Sequence, residues 1–357
     1  MATINMPQKL TSGVYWLGIR RNVRLETNTY VRIFQKTLKS EALLIDPGAP
    51  RTFHLIQKRL QAVIGDFRRL GLIFLSYQDP GSSLNIVRLA KENPELTVVC
   101  TNDVRRLSYS LGLKALRFQP IEKLPTLRVS LSEDYTIRFL PVPFCPSRGA
   151  CMLYDEESRI LFSGGLFGGI TFTMSLVATK QHWEGIRIWH QMYIPHIAAL
   201  QRAIAIVRDL DPPPKIIAPQ HGAVLTENMI PVVLDKLSEL PVGVELPQAT
   251  ELDKIMYLDA INDVLASISQ KAGKEVVDQL LSRLDQDLSF PHLFTVQDGQ
   301  LIDIKDDVLG DAMGAFKMLL YALIQNQPAD IQDILRAAIL ESNWNLPLFM
   351  QTFVSRK

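Results

Sequence analysis

The strongest constraint in this chain is one transition, Leu75-Ser76-Tyr77-Gln78-Asp79-Pro80-Gly81-Ser82-Ser83-Leu84. A mostly apolar run from Leu70 to Leu75 enters it, and Leu84, Ile86, Val87, Leu89 and Ala90 leave it in a helical pattern. A buried strand, an Asp-Pro-Gly turn and a helix start in such close succession require packed layers of helix and sheet. Such a turn, at the carboxyl end of a strand, is where proteins of this kind place their chemistry. Asp79 is the one acid that the turn offers.

The flanking sequence extends the layered reading. Val14-Tyr15-Trp16-Leu17-Gly18, the alternating stretch Asn28 to Phe34, and Ala42 to Ile45 before Asp46-Pro47-Gly48 read as successive antiparallel strands. A helix from Arg51 to Ile64 puts Phe53, Ile56, Leu60 and Val63 on one face. Strands follow at Leu96–Thr101, Thr136–Pro141, Ile160–Phe162 and Lys215–Pro219, with a helix from Asn102. Between the last two strands, His182 to Arg208 is helical with one apolar side, and Pro195 is expected to kink or break it. The final strand ends at Gln220-His221-Gly222. After Pro241 the character changes, with a boundary at Leu246-Pro247. Helices are expected over Asp253–Gln270, Lys274–Leu284, Ala312–Asn326 and Asp330–Glu341, and a hairpin over Phe290–Ile304 turning at Asp298-Gly299. The class is therefore α+β, with a first domain over residues 1–246 and a helix-rich domain containing a small hairpin over 247–357.

Composition limits the partners. Lys plus Arg number 38 and Asp plus Glu 37, a formal charge of +1, without the net basic surface that a nucleic-acid footprint needs. Three cysteines, Cys100, Cys145 and Cys151, make no disulfide scaffold and suit a reducing cytoplasm. Met1 to Leu10 lacks the apolar core of a signal peptide, and no apolar run approaches the ~20 residues that span a bilayer. A soluble cytoplasmic protein is expected.

Six short stretches, in order, carry a resemblance. They are Leu25-Glu26-Thr27-Asn28-Thr29-Tyr30, Leu44-Ile45-Asp46-Pro47-Gly48, Tyr77-Gln78-Asp79-Pro80, Ile160-Leu161-Phe162-Ser163-Gly164-Gly165-Leu166-Phe167-Gly168, Tyr193-Ile194-Pro195, and Ile217-Ala218-Pro219-Gln220-His221-Gly222. From about Pro7 to Leu240 the chain resembles the metallo-β-lactamase fold, closest to the oxygen-reducing or oxygen-binding di-iron branch that includes the flavodiiron proteins. The resemblance implies an αββα sandwich and a site for two irons. It also implies which residues stand at the ligand positions. Tyr77 replaces the first His, Asp79 matches the acid, and an Asp-His pair is missing around Gly81-Ser82. The middle-loop His falls in Phe144-Cys145-Pro146-Ser147-Arg148, which has none; Gly165 replaces the bridging Asp, and His221 matches the late His.

First-row metals take about three or four protein ligands, and a bridged pair takes more. Asp79 and His221 alone do not make that set, so no bound metal is expected; the substitutes at hand are Tyr77, Cys145 and Cys151. His54, His182, His190, His196 and His292 read as structural. The vacated pocket would be lined by Tyr77, Asp79, Ser82, Cys145, Arg148, Gly165 and His221. Arg148 and helix N–H groups capped by Ser82 or Ser83 point to a small anionic ligand, against which stands a pocket closed by an Arg148–Asp79 pair or filled with water. Nothing after Pro247 resembles a flavodoxin phosphate loop, so FMN is not expected. The tail instead resembles those of flavin-free members linked to oxygen sensing and signalling, and Trp344-Asn345-Leu346-Pro347-Leu348-Phe349 offers an apolar segment for packing on the first domain or a second copy. The resemblance also implies a homodimer. Two readings remain open: a non-catalytic binding, sensing or signalling module with a protein or small-ligand partner, or a metal-dependent oxidoreductase, oxygen sensor or hydrolase with a reduced iron or zinc site at Asp79 and His221. Metal-free hydrolysis ranks last, because no nucleophile–base pair is apparent.

Overall fold

Side chains of each strand alternate between two environments, and that alternation sets the layers. The computed structural model of the chain describes residues 6–20, 26–34, 42–109, 117–130, 135–171, 174–245, 251–286, 294–304 and 328–343. The helix expected over 312–326, the segment Trp344–Phe349, Leu25 and His292 lie outside them. The chain divides into two compact units, Met1–Leu246 and Pro247–Lys357.

In the first unit, β1 (Gln8–Thr11), β2 (Val14–Trp16), β3 (Tyr30–Ile33), β4 (Ala42–Ile45), β5 (Leu70–Phe74), β6 (Thr97–Cys100) and β7 (Arg117–Pro120) form one sheet in sequence order. Pairing is antiparallel through β4 and parallel from β4 to β7, as the change from hairpins to helical crossovers demands. The second sheet comprises β8 (Arg128–Ser130), β9 (Thr136–Pro141), β10 (Cys151–Asp155), β11 (Ile160–Gly164), β12 (Ile216–Pro219) and β13 (Leu225–Thr226). Only β11 and β12 run parallel in it.

Leu43 and Ile45 of β4, Phe74 of β5, Phe139 of β9, Leu153 of β10 and Phe162 of β11 fill the layer between the sheets. Their neighbours Leu44, Ile73, Met152 and Leu161 join the cluster that contains the helix faces. Those helices are α1 (Phe53–Ile64), the single turn α2 (Pro80–Ser83), α3 (Asn85–Glu92), α4 (Asn102–Ser108), α5 (Trp183–Tyr193), α6 (Ile197–Arg208) and α7 (Ile230–Ser238). Period-two strands buried on both faces, with helices outside, make an αββα sandwich. The helical stretch from His182 breaks in two around Pro195, and His196 caps α6 by accepting the Ala198 amide at 3.0 Å. Arg32 of β3 bridges the sheets, pairing with Asp155 of β10 at 2.6 Å and with Glu157.

In the second unit α8 (Glu251–Ala272) buries Ile261, Val264, Leu265 and Ile268 at the i, i+3, i+4, i+7 spacing of one helix face. It packs with α9 (Lys274–Gln286) and α10 (Ala329–Asn343). The hairpin β14 (Phe294–Gln297) and β15 (Gln300–Ile304) turns at Asp298 (φ 52°) and Gly299 (φ 81°), the left-handed pair that a tight hairpin turn needs. Asn262 joins it to α8, donating to the Leu301 carbonyl at 2.8 Å and accepting the Leu301 amide at 3.0 Å. No helix among the described residues is long and apolar enough to cross a membrane.

The Arg32 bridge ties the two sheets through a buried ion pair. Arg32→Ala leaves the buried Asp155 carboxylate without a counter-charge and with the Ser158 hydroxyl as a remaining donor, and thermal unfolding should register a loss of about 3 kcal/mol.

Candidate functional site

The turn after β5 is built by Asp79. Its carboxylate caps α2, with Oδ1 accepting the Gly81 amide at 2.9 Å, and Pro80 follows at the position where its missing N–H costs nothing. The Asp79 carbonyl accepts the Ser82 and Ser83 amides at 3.1 and 3.0 Å and their hydroxyls at 3.2 and 2.6 Å. Thus Asp79 caps α2, while α3 starts after Leu84 with no side-chain cap, and its Asn85 amide donates to the Gly48 carbonyl at 3.2 Å; the serine cap expected near Leu84 is not formed. Beneath it Asp46 sits in left-handed conformation (φ 49°), accepting the Ser76 amide at 3.0 Å and the Ser76 hydroxyl at 2.8 Å. Burial pushes the Asp46 carboxyl up to about 7; the Ser76 hydrogen bonds oppose this, and the Asp79 charge adds to it.

Opposite, His221 lies two residues past the end of β12 and forms an isolated antiparallel bridge with Thr27. Asn28 fixes that end: its side chain donates to the carbonyls of Pro219 and Gly222 at 2.8 and 2.9 Å, and its amide donates to the Gln220 carbonyl at 2.6 Å. The fully buried Arg20 donates to Asn28 Oδ1 at 2.9 Å and to the Gly222 carbonyl at 2.6 Å. At Gly222 (φ 77°) a Cβ would lie 2.6 Å from the Gly169 carbonyl oxygen, so glycine is required on two counts. His221 Nδ1 donates to the Glu26 carbonyl at 3.1 Å, a partner that can only accept. Nε2 therefore turns towards Asp79 Oδ2, 3.8 Å away. Burial lowers the His221 pKa, against the pull of Asp79, and favours neutral imidazole with a lone pair on Nε2. The Trp189 ring lies 4.6 Å from His221 and its indole nitrogen donates to the Gly165 carbonyl at 2.6 Å.

Of the expected pocket residues, Tyr77, Asp79, Gly165 and His221 come together. A Cβ on Gly165 would meet Pro146 Cδ at 2.5 Å and Tyr77 Cε1 at 3.3 Å, so Pro146 and Tyr77 fill the space a bridging aspartate would need. Burial, then Asp79, raises the Tyr77 pKa well above the usual phenol value, and burial lifts Cys145 to about 12, leaving neither an available anionic ligand. Cys151 is a buried thiol in β10. Arg148 does not cover the pocket: its largely exposed guanidinium pairs with Asp103 at 3.2 Å, because Gly149 packs against α4 and carries the loop that way. Ser82 is buried and accepts from the Gln220 side chain at 2.5 Å. His190 Nδ1 donates to the Ile186 carbonyl at 2.8 Å while Nε2 accepts the Phe167 amide at 3.0 Å; burial lowers its pKa to about 4. His182 accepts the Thr179 amide at 2.9 Å, and His54 is exposed on α1. Among the described residues no group of three or more His, Cys, Asp and Glu could hold a metal ion, so this donor set does not fit a di-iron centre.

Asp46, Trp189, Tyr193 and Gln220 belong to this site too. Asp46 was visible as a turn and Tyr193 as part of a motif, but neither signal specified contact with the opposite strand end.

Two substitutions probe the packing and the charge. Gly165→Asp drives a side chain into Pro146 and should cost about 2 kcal/mol in denaturant melts, with Pro146→Ala recovering part of it. Because the folded Asp46 pKa exceeds its ordinary 3.8, the folded state keeps a proton that the unfolded chain loses. Its contribution to stability is then present below pH 3.8 and lost as pH climbs to about 7. Asp46→Asn, compatible with the left-handed backbone, should flatten that part of the Tm–pH profile.

Comparisons with known proteins place this geometry. The chain is similar to a peroxy diiron species of the chemotaxis sensor ODP, with 24% identity, a TM-score of 0.56, and coverage of 69% of this chain and 98% of that one. The flavodiiron protein from Giardia intestinalis is similar over 90% of this chain and 82% of its own, at 13% identity and a TM-score of 0.60. An uncharacterized HTH-type transcriptional regulator of Aquifex aeolicus is 27% identical over 124 residues, 35% of this chain and 42% of that relative. A putative diflavin flavoprotein of Nostoc sp. is 22% identical over 213 residues, covering 57% of this chain and 35% of its own. The chain thus spans less than half the length of these curated relatives. The family model described as ODP family beta lactamase matches residues 25–222, more than half of the sequence and every strand from β3 to β12, and the chain belongs to that family.

Proposed function

We propose that the protein is a non-catalytic, metal-free member of its family, acting in the cytoplasm as a binding, sensing or signalling module and assembling as a homodimer. The observation that carries this reading is Pro146 standing 2.5 Å from where a Gly165 side chain would begin, in the space of the expected bridging acid. Two cations ~3.5–4 Å apart need such a bridge, and the remaining donors are Asp79 and His221. Likeness to a chemotaxis sensor supports a sensing role, and three buried free cysteines support a reducing compartment.

The Asp79–His221 pair favours one second reading, a single weakly held iron or zinc ion serving an oxygen sensor or metalloenzyme. Elemental analysis of protein purified without chelators or a metal-affinity column decides between them. We expect substoichiometric iron, zinc and manganese. One equivalent, lost in Asp79→Ala and His221→Ala, would overturn the metal-free reading. Light scattering on the same preparation should give twice the chain mass.

A further inference from the structure

We propose that the site mouth formed by Asp79, His221, Tyr77 and Tyr193 binds a primary ammonium group, so that the ligand is a small organic cation and not an anion. This rests on the metal-free reading and names the chemistry of the same site.

Charge sets the sign. Asp79 Oδ1 is held by the Gly81 amide, while Oδ2 faces His221 across 3.8 Å, too long for a hydrogen bond. No described cation answers it: Arg148 pairs with Asp103, and Arg20 is spent on Asn28, Gly222 and Glu26. The His221 side chain is 4% exposed, and its Nε2 has no hydrogen-bond partner among the described residues. A carboxylate and an imidazole lone pair facing each other repel unless a donor lies against both. One nitrogen bearing several N–H groups can reach two acceptors at this separation, and its positive charge gives charge-assisted bonds to the carboxylate.

The walls match such a headgroup. Tyr193, Trp189 and His221 form a continuous aromatic side, with centroid separations of 4.3 and 4.6 Å. Tyr77, against Gly165, contributes another aromatic surface. Both tyrosines present electron-rich rings, the surfaces that attract cations. Tyr77 and His221 are deeply buried, whereas Tyr193 is 38% exposed. That gradient suits a slim ammonium on a short stem entering past Tyr193, and disfavours a bulky quaternary one.

The test is titration of the full metal-free chain with methylammonium chloride, followed by calorimetry and by imidazole NMR signals. Tetramethylammonium, acetate and inorganic phosphate serve as comparators. We expect saturable methylammonium binding that perturbs His221, with no saturable response to acetate or phosphate. Asp79→Asn keeps a helix-capping residue and should weaken binding tenfold or more, the loss expected of a charge-assisted hydrogen bond. Tyr193→Ala, at a half-exposed position, should weaken it without unfolding the protein. n-Butylammonium and Nα-acetyl-lysine methylamide carry the same headgroup; tighter binding of the second would assign a polypeptide lysine as the source, and tighter binding of the first a free amine. Methylammonium that fails to saturate the metal-free protein, equal binding of acetate, or unchanged affinity in folded Asp79→Asn would overturn the proposal. Stoichiometric metal in the purified chain would overturn the metal-free reading itself, so the two failures are distinct.

Discussion

Everything at the site depends on how the end of β12 is held across from the turn after β5. That task falls to Asn28. From one residue the protein draws a backbone bond to Gln220 and side-chain bonds to Pro219 and Gly222, while Arg20 and Trp16 donate back to its carbonyl oxygen. The Tyr30 hydroxyl adds a bond to the Pro219 carbonyl at 2.7 Å. These contacts join the first sheet to the end of β12 in the second. Buried polar groups with satisfied partners specify a single arrangement, because any slip leaves a desolvated donor or acceptor. His221 inherits its position from that clamp, and its tautomer from the Glu26 carbonyl beside it.

Against this retained frame, the change at the centre is one of volume and sign. Where the di-iron family relies on acids and imidazoles around two cations, this chain has Tyr77, Gly165 and the packed ring of Pro146. Pro146 and Tyr77 pack against the spot where a side chain at position 165 would begin. What persists is one acid and one imidazole, with aromatic rings beside them. Asp46 has been kept as well, but it serves as a buried acceptor that locks Ser76, and burial favours its proton-bearing form.

Much of the architecture was legible in the residues. Helix and strand periodicities, the Asp298-Gly299 hairpin and the break at Pro195 follow from local rules of turn chemistry and alternation, which act over a few residues at a time. Motif order also led to the expectation that Tyr77 and Gly165 stand at ligand positions of the family. Arg148 shows where such reading stops. Its place in a site loop suggested a pocket-facing cation, yet Gly149 packs against α4 and the guanidinium meets Asp103 at the surface. Ser82 and Ser83 carried a capping signature, but their hydroxyls turn back to the Asp79 carbonyl and α3 starts without a side-chain cap.

The sequence by itself determined the layered class of the fold, since that depends on residue identity and local order. Only the tertiary structure decided that Asp79 and His221 face each other at 3.8 Å, that Pro146 packs beside Gly165, and that Arg148 pairs with Asp103. The reason is physical. Chain segments separated by over a hundred residues meet here, and their distances are set by packing and buried hydrogen bonds that no local pattern encodes.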